Sequence, residues 1–289
     1  MRAMPREGQD GGVKGQRTLL SARRENGAGQ GSHSAIALEG VNHSFTTADG
    51  RRVPALRDVN FSIGTSTFVA IVGPSGCGKS TVLNLISGLL KPTEGSVYVN
   101  GEQVTRIRTG VGYMPSSDSL LPWRTVQANV ELPLELAGVP KRERARRAAE
   151  MLSAVGLSGS EQTFPHALSQ GMRQRVAIAR TFTAGSQVIL MDEPFSSLDM
   201  QTRLRVQEVF LSIWERERPT VVLITHDVSE AVALADRVII FSSSPGTVLK
   251  ESAIALPRPR QVEELMFSSA EFQGHMRSIW SSLRVELHV

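Results

Sequence analysis

What this 289-residue sequence has little of narrows it first. It contains one cysteine, Cys77, so no disulfide can form within the chain and a reducing compartment suits it. No stretch approaches the about eighteen consecutive apolar residues that a membrane-spanning helix needs, so work at a membrane would require a partner. The N-terminus has no apolar core of the kind a secretory signal carries. Charge of one sign is scarce too: 32 Lys and Arg against 28 Asp and Glu leave a formal +4, too mild to point to nucleic acid. Residues 1–34 are rich in Gly, Arg, Gln and Ser with almost no apolar periodicity, which predicts a flexible tail. Arg23 and Arg24 could touch anionic lipid headgroups, but a solvated extension is the preferred reading there.

What is present is organised around Thr67–Leu85, TFVAIVGPSGCGKSTVLNL. Phe68 to Val72 form a short apolar run suited to a strand buried on both faces. Gly73, Gly76 and Gly78 let the backbone turn so that several N–H groups face one concavity, as a polyphosphate requires. Lys79 can reach the β- and γ-phosphates, and the Ser80 hydroxyl can ligate Mg²⁺. A helix is expected over Val82 to Leu89, its positive end toward the anion. The pattern G-x-x-x-x-G-K-[ST] would arise by chance in about one chain in a hundred of this length. Its place between a strand and a helix argues for nucleotide triphosphate binding.

Around that segment, Ile36, Leu38, Val41 and Phe45, then Val59, Phe61 and Ile63, predict two short antiparallel strands joined at Ala48-Asp49-Gly50. Spacing alone makes Phe45 a core residue, although an aromatic there could stack on adenine. Gly95–Gly101 reads as a strand ending in an Asn-Gly turn, and Val111–Met114 as another strand. A helical lobe is predicted over roughly Ser116 to Pro165, with helices at Thr125–Ala137 and Lys141–Leu152. Ser169 should cap the helix that follows, and a capped start beside Gly171 is a second place for an anion. Val188–Pro194 is a strand ending in two carboxylates, which alternation would point to different sides: Asp192 toward Mg²⁺, Glu193 toward an attacking water. His226 follows a further strand, Thr220–Ile224, at the sheet edge where ligands bind; alone it would more often be structural. Strands are expected at Val238–Phe241 and Thr247–Leu249, and Phe272, Met276, Ile279 and Leu283 give a C-terminal helix one apolar face that should dock on its own domain.

Taken together, these motifs resemble the nucleotide-binding subunit of an ABC transporter from about Ala35 onward. Gly73-Pro74-Ser75-Gly76-Cys77-Gly78-Lys79-Ser80-Thr81 is similar to the Walker A loop, Leu168-Ser169-Gln170-Gly171-Met172 to the signature, and Met191-Asp192-Glu193 to the end of Walker B. Ser197-Leu198-Asp199 resembles the D-loop, His226 the switch histidine, and Phe45 the adenine-stacking aromatic. The resemblance implies an α/β fold: a P-loop NTPase core with a parallel sheet, an N-terminal antiparallel β part and an inserted helical subdomain. It implies an ATPase domain over 35–255 and a C-terminal extension over 256–289. It further implies ATP and Mg²⁺ as ligands, and two copies paired head to tail, so that Ser169 and Gly171 of one close over nucleotide on the other. A transmembrane permease, gripped by the helical lobe, and indirectly an external substrate-binding protein would be the other partners, with no nucleic acid, at the cytoplasmic face of the inner membrane. Leu120-Leu-Pro-Trp123, Leu256-Pro-Arg-Pro-Arg260 and the helix from Glu271 to Trp280 look like the nitrate, sulfonate and taurine importer branch.

Two positions depart from the family pattern. Gln170 stands where glycine is usual in the signature, while Ser116 stands where a glutamine normally contacts Mg²⁺ and water. Serine lacks the reach, which predicts intact ATP binding with weaker turnover or coupling. Two other readings compete: a soluble ABC ATPase acting on DNA or ribosomes, disfavoured by a single cassette, and a nucleotide-gated module with little hydrolysis.

Overall fold

Alternating apolar residues build the first layer. The structure is a computed structural model that describes residues 34–287, so the tail expected over 1–34, with Arg23 and Arg24, lies outside the described residues except for Ser34. β1 (Ser34–Thr46) and β2 (Arg52–Gly64) form an antiparallel hairpin. Each strand has 13 residues rather than the short span expected, because register shifts between Leu38 and Val41 and again before His43 interrupt the alternation that marks a strand in sequence. β4 (Glu94–Val99) pairs with β1, and β5 (Glu102–Gln103) with β4, giving the order β2-β1-β4-β5 once β3 (Phe68–Val72) is placed in a second sheet. The Asn-Gly turn behaves as expected: Asn100 and Gly101 both have positive φ, 51° and 77°, as a two-residue hairpin loop demands.

The second sheet carries the chemistry. It contains β6 (Val111–Met114), β7 (Val188–Asp192), β8 (Thr220–Ile224), β9 (Arg237–Phe241) and β10 (Val248–Ala253), in the order β10-β9-β3-β8-β7-β6. All neighbours are parallel except β10 against β9. β3 alternates between two cores: Val69 and Ile71 face the antiparallel layer, whereas Phe68, Ala70 and Val72 face the helices on the other side. Burial on both faces explains its unbroken apolar run. Phe68, Val69, Ile71 and Val72 each contribute about 1.5–3 kcal/mol, which makes β3 a rigid base for whatever follows it.

Seven further helices complete the layers after α1 (Lys79–Ser87): α2 (Val126–Leu136), α3 (Lys141–Ala154), α4 (Gln170–Thr183), α5 (Met200–Glu217), α6 (Val228–Leu234), α7 (Val262–Ser268) and α8 (Ala270–Leu287), counted among the described residues. α2 and α3 pack on each other and on α4, and bury Val126, Val130, Ala148 and Leu152 in the core that holds Phe68. α8 docks as its pattern predicts, with Phe272, Ile279 and Leu283 buried and Met276 packed beside them. Boundaries differ most from expectation at α1 and β10. α1 starts at Lys79, not Val82, and ends at Ser87, because left-handed glycines at 78 and 88 bracket it. β10 runs on to Ala253, where antiparallel pairing with β9 overrides the polar character of Lys250, Glu251 and Ser252.

Candidate active site

Sterics shape the loop between β3 and α1 from both flanks. Gly76 and Gly78 have φ of 77° and 94°, a region that other residues enter at a cost. A Cβ at Gly78 would lie 2.7 Å from the Ala55 carbonyl oxygen and 2.8 Å from Leu56 Cδ2; one at Gly73 would lie 3.0 Å from Phe241 Cβ. Neighbouring strands therefore press directly on the loop. Gly78 caps α1 without a side-chain acceptor, which leaves the first-turn N–H groups free to meet an anion. Ser75 and Ser80 are exposed, while Thr81 and Cys77 are buried. Burial pushes the Cys77 thiol up, disfavouring its reactive thiolate.

Lys79 is buried, and its Nζ donates to the carbonyl oxygens of Gly73 (2.9 Å) and Pro74 (2.8 Å). A phosphate oxygen offers this ammonium a full opposite charge where the two carbonyls offer only dipoles, so phosphate oxygens entering the loop compete well for it. Ser80 Oγ, one residue on, donates to Asp192 Oδ1 at 3.1 Å and joins the loop to the end of β7. Burial pushes the half-buried Asp192 carboxyl up, and the Glu193 charge adds to the effect. Tyr113 on β6 stands beside it, its phenol pushed up to about 12 by burial and then by the Asp192 charge. A hydroxyl and a carboxylate oxygen side by side are hard donors that fit Mg²⁺. Among the described residues no cluster of three or more His, Cys, Asp or Glu could hold a metal, and Mg²⁺ characteristically takes only one or two protein ligands beside substrate phosphates.

Glu193 corrects the expectation about the two carboxylates. Strand alternation does not separate them: β7 ends at Asp192, and Glu193 has a left-handed φ of 47°. Its amide donates to Ile224 O of β8 at 2.9 Å, and this pairing holds the unusual conformation. Such residues cost on the order of 1–3 kcal/mol and concentrate at functional sites. Glu193 Oε2 lies 3.0 Å from His226 Nδ1, so the sheet brings together two side chains 33 residues apart. The imidazole is largely exposed, at 62%, and open to a ligand.

The remaining candidates sit on loop and helix ends. Asp199 caps α5, accepting from Thr202 N at 3.0 Å, and the Thr202 hydrogen bonds hold its carboxyl below the usual range. Ser169 caps α4 as expected, accepting from Met172 N at 3.3 Å. No hydrogen bond joins the start of α4 to the phosphate loop among the described residues. Gly171 has a packing reason to be glycine, since a Cβ there would overlap Thr202 Cγ2. Phe45 overturns its core reading: it is 45% exposed, edge-on to His43 with centroids 4.8 Å apart. It sits at the end of β1, where Ser44 pairs with Pro54, the neighbour of the Ala55 that abuts Gly78.

Comparison with known proteins matches this geometry to a family. Residues 56–196 match the ABC transporter family model. The chain is 47% identical to the nitrate import ATP-binding protein of Synechocystis sp. over 77% of its own length and 83% of that protein. This chain belongs to the ABC transporter ATP-binding family. It is an ATP-binding ATPase of the transport class. A taurine import ATP-binding protein of Shigella flexneri is 40% identical over 75% of this chain and 85% of its own length. An aliphatic sulfonates import ATP-binding protein of Bacillus cereus is 39% identical over 78% and 88%. Among solved structures, the ATP-binding cassette MJ0796, in a dimeric post-hydrolysis state bound to ADP and Pi, superposes with a TM-score of 0.67 at 33% identity, covering 77% of this chain and all of the other.

Sequence reasoning about this ABC cassette missed several contributors. Tyr113 gave no local signal, because only the pairing of β6 with β7 sets it beside Asp192. Gln174, buried on α4, donates to the Pro194 carbonyl and ties the helix after the signature to the segment after Glu193. Gly246 lies against the phosphate loop, where a Cβ would overlap the Cys77 carbonyl oxygen. A polar residue buried on an otherwise apolar helix face was the signal available for Gln174. The others are contacts across the sheet.

Proposed function

We propose that this cassette hydrolyses MgATP as one of a head-to-tail pair and thereby drives uptake of a small anion such as nitrate, a sulfonate or taurine through a partner permease. Its place would be the cytoplasmic face of the inner membrane, held peripherally; no helix among the described residues is long and apolar enough to cross a membrane. The observation that carries the reading is the pair of contacts at one sheet edge, Ser80 with Asp192 and Glu193 with His226, beside the loop that holds Lys79. The names of the three import relatives support the substrate class.

The chemistry is chiefly positioning and charge stabilisation. Lys79 and the amides of Gly76, Cys77, Gly78 and Lys79 hold the phosphates. Ser80 and Asp192 would hold Mg²⁺, which spreads the negative charge of the phosphates when bound. Glu193 orients water as a general base, and His226, in contact with it, hydrogen-bonds the γ-phosphate. Phe45 stacks on adenine. Ser169, Gly171 and Asp199 serve the partner copy's nucleotide, consistent with a capped helix start that makes no hydrogen bond to its own loop. The lobe at roughly 116–165 grips the permease, with an external substrate-binding protein beyond it. Ser116 supports a second reading, a nucleotide-gated module with little hydrolysis.

Purified full-length chain with Mg²⁺ should bind ATP, dimerise on ATP when Glu193→Gln blocks turnover, and capture its permease from membranes. Absence of ATP binding, or an Lys79→Ala variant that binds ATP as well as the parent, would overturn the reading. A Glu193-dependent hydrolysis rate separates the transporter ATPase from the gated module.

A further inference from the structure

The Leu256-Pro-Arg-Pro-Arg260 segment has no part in the chemistry above, yet its two arginines close the end of α6. A helix leaves its last carbonyls without intrahelical donors. Here each carbonyl from Val232 to Ala235 receives a guanidinium N–H. Arg260 Nη1 donates to Val232 O (3.4 Å), Ala233 O (3.1 Å) and Ala235 O (2.8 Å), and Arg258 Nη2 to Leu234 O (2.7 Å). Arg260 Nη2 binds Ile254 O and Leu256 O of its own segment, and its side chain is 1% exposed. Arg258 lies 4.3 Å from the Trp214 ring centroid and pairs with Asp236 (2.7 Å) and Glu215 (3.5 Å). Burial and the neighbouring Arg258 lower Arg260 to about 10, so it stays charged at neutral pH.

The other end of α6 begins at Asp227, directly after His226. Asp227 caps the helix through Ser229 N (2.8 Å) and is held by Arg203 (3.3 Å), while Gln207 donates to Glu230 Oε1 at 2.8 Å. Two anchors thus hold a rod only about 10 Å long. α5 grips the end near the histidine; the C-terminal extension grips the other.

We propose that Arg258 and Arg260 are positioning residues for ATP hydrolysis: by fixing the C-terminal end of α6 they set where His226 stands against Glu193. Cations complement the negative end of a helix. The Arg260 fork bridges two segments, Nη1 on the end of α6 and Nη2 on the Ile254 and Leu256 carbonyls, and the single nitrogen of a lysine cannot reach both. The proposal rests on the role of His226 given above.

Arg260→Lys and Arg258→Lys keep the charge and lose the fork. Turnover is measured in the full chain with MgATP and counted per bound ATP, so that unfolded molecules drop out. The expected result is about a tenfold loss in kcat, unchanged ATP affinity, and faster amide hydrogen exchange over residues 226–235 but not over α1. In a His226→Ala background the lysine variants should cause no further loss of residual turnover. Should Arg260→Lys fail to fold, the less buried Arg258→Lys carries the same comparison. Unchanged kcat per bound ATP, or an equal loss persisting without His226, overturns the proposal. If His226→Ala alone turns over ATP at the parent rate, the role of His226 falls and the proposal with it; a loss in His226→Ala with none in the lysine variants defeats the proposal alone.

Discussion

The phosphate loop and the Glu193–His226 pair lie at the same sheet edge but are built in opposite ways. The loop is a local object: adjacent residues, two left-handed glycines and a buried lysine, pressed by Ala55, Leu56 and Phe241. The pair is a remote one, made of an exposed imidazole and a strained carboxylate that meet because β7 and β8 are neighbours. Rigid packing suits the cradle proposed for the phosphates, which must be held in place before any bond breaks. Polar tethers suit groups that must readjust around a water. The lesson is that binding and turnover should fail separately.

The sharpest test of that separation is Glu193→Gln. It should lower the hydrolysis rate by about 10²–10⁴-fold while ATP affinity, read by fluorescent-nucleotide titration, stays near the parent value. Equal damage to both would break the comparison. On the loop side, Gly78→Ala forces a methyl group against the Ala55 carbonyl at an unfavourable φ of 94°. A loss of about 1–3 kcal/mol in unfolding free energy is expected by denaturant titration, with weakened ATP binding. An alanine variant as stable as the parent would show that the loop is softer than its contacts imply.

Next in size is a pH effect on the switch side. Glu230, fully buried on α6, is pushed up to about 7 by burial, against an ordinary value of 4.5. The folded chain therefore keeps this proton up to about pH 7, whereas the unfolded chain releases it near 4.5. Stability from this group is full below 4.5 and is lost as pH rises toward 7, on the order of 3 kcal/mol in all. Glu230→Gln should flatten the fall in thermal midpoint across that window. A parent and variant with parallel pH profiles would remove Glu230 from the account. The smallest effect is expected of Ser116→Gln, a few-fold rise in ATPase rate or in its coupling to transport. Unchanged rates in both would show that the chain manages without that reach.

Much of the loop was legible because its signals are local. Glycine spacing, a lysine and a hydroxyl follow an apolar run, and one strand–turn–helix unit holds them all. The same holds for Ser169, whose capping role depends only on the start of one helix. Phe45 was misread because an aromatic at a strand end looks the same whether its ring meets a core or solvent. The alternation argument failed at Glu193 because it extrapolated one residue beyond the strand, and a left-handed turn leaves no mark in a non-glycine sequence.

The linear order of residues determined by itself the glycine-rich turn after β3, which strand leads into the acidic pair and which helices have an apolar face, since hydrophobic period and turn chemistry act over a few residues. Folding in three dimensions decided what those groups touch. Tyr113 reaches Asp192, His226 reaches Glu193, and two arginines near residue 260 close a helix that starts at residue 228, because sheet order and helix docking bring together residues that no local rule connects.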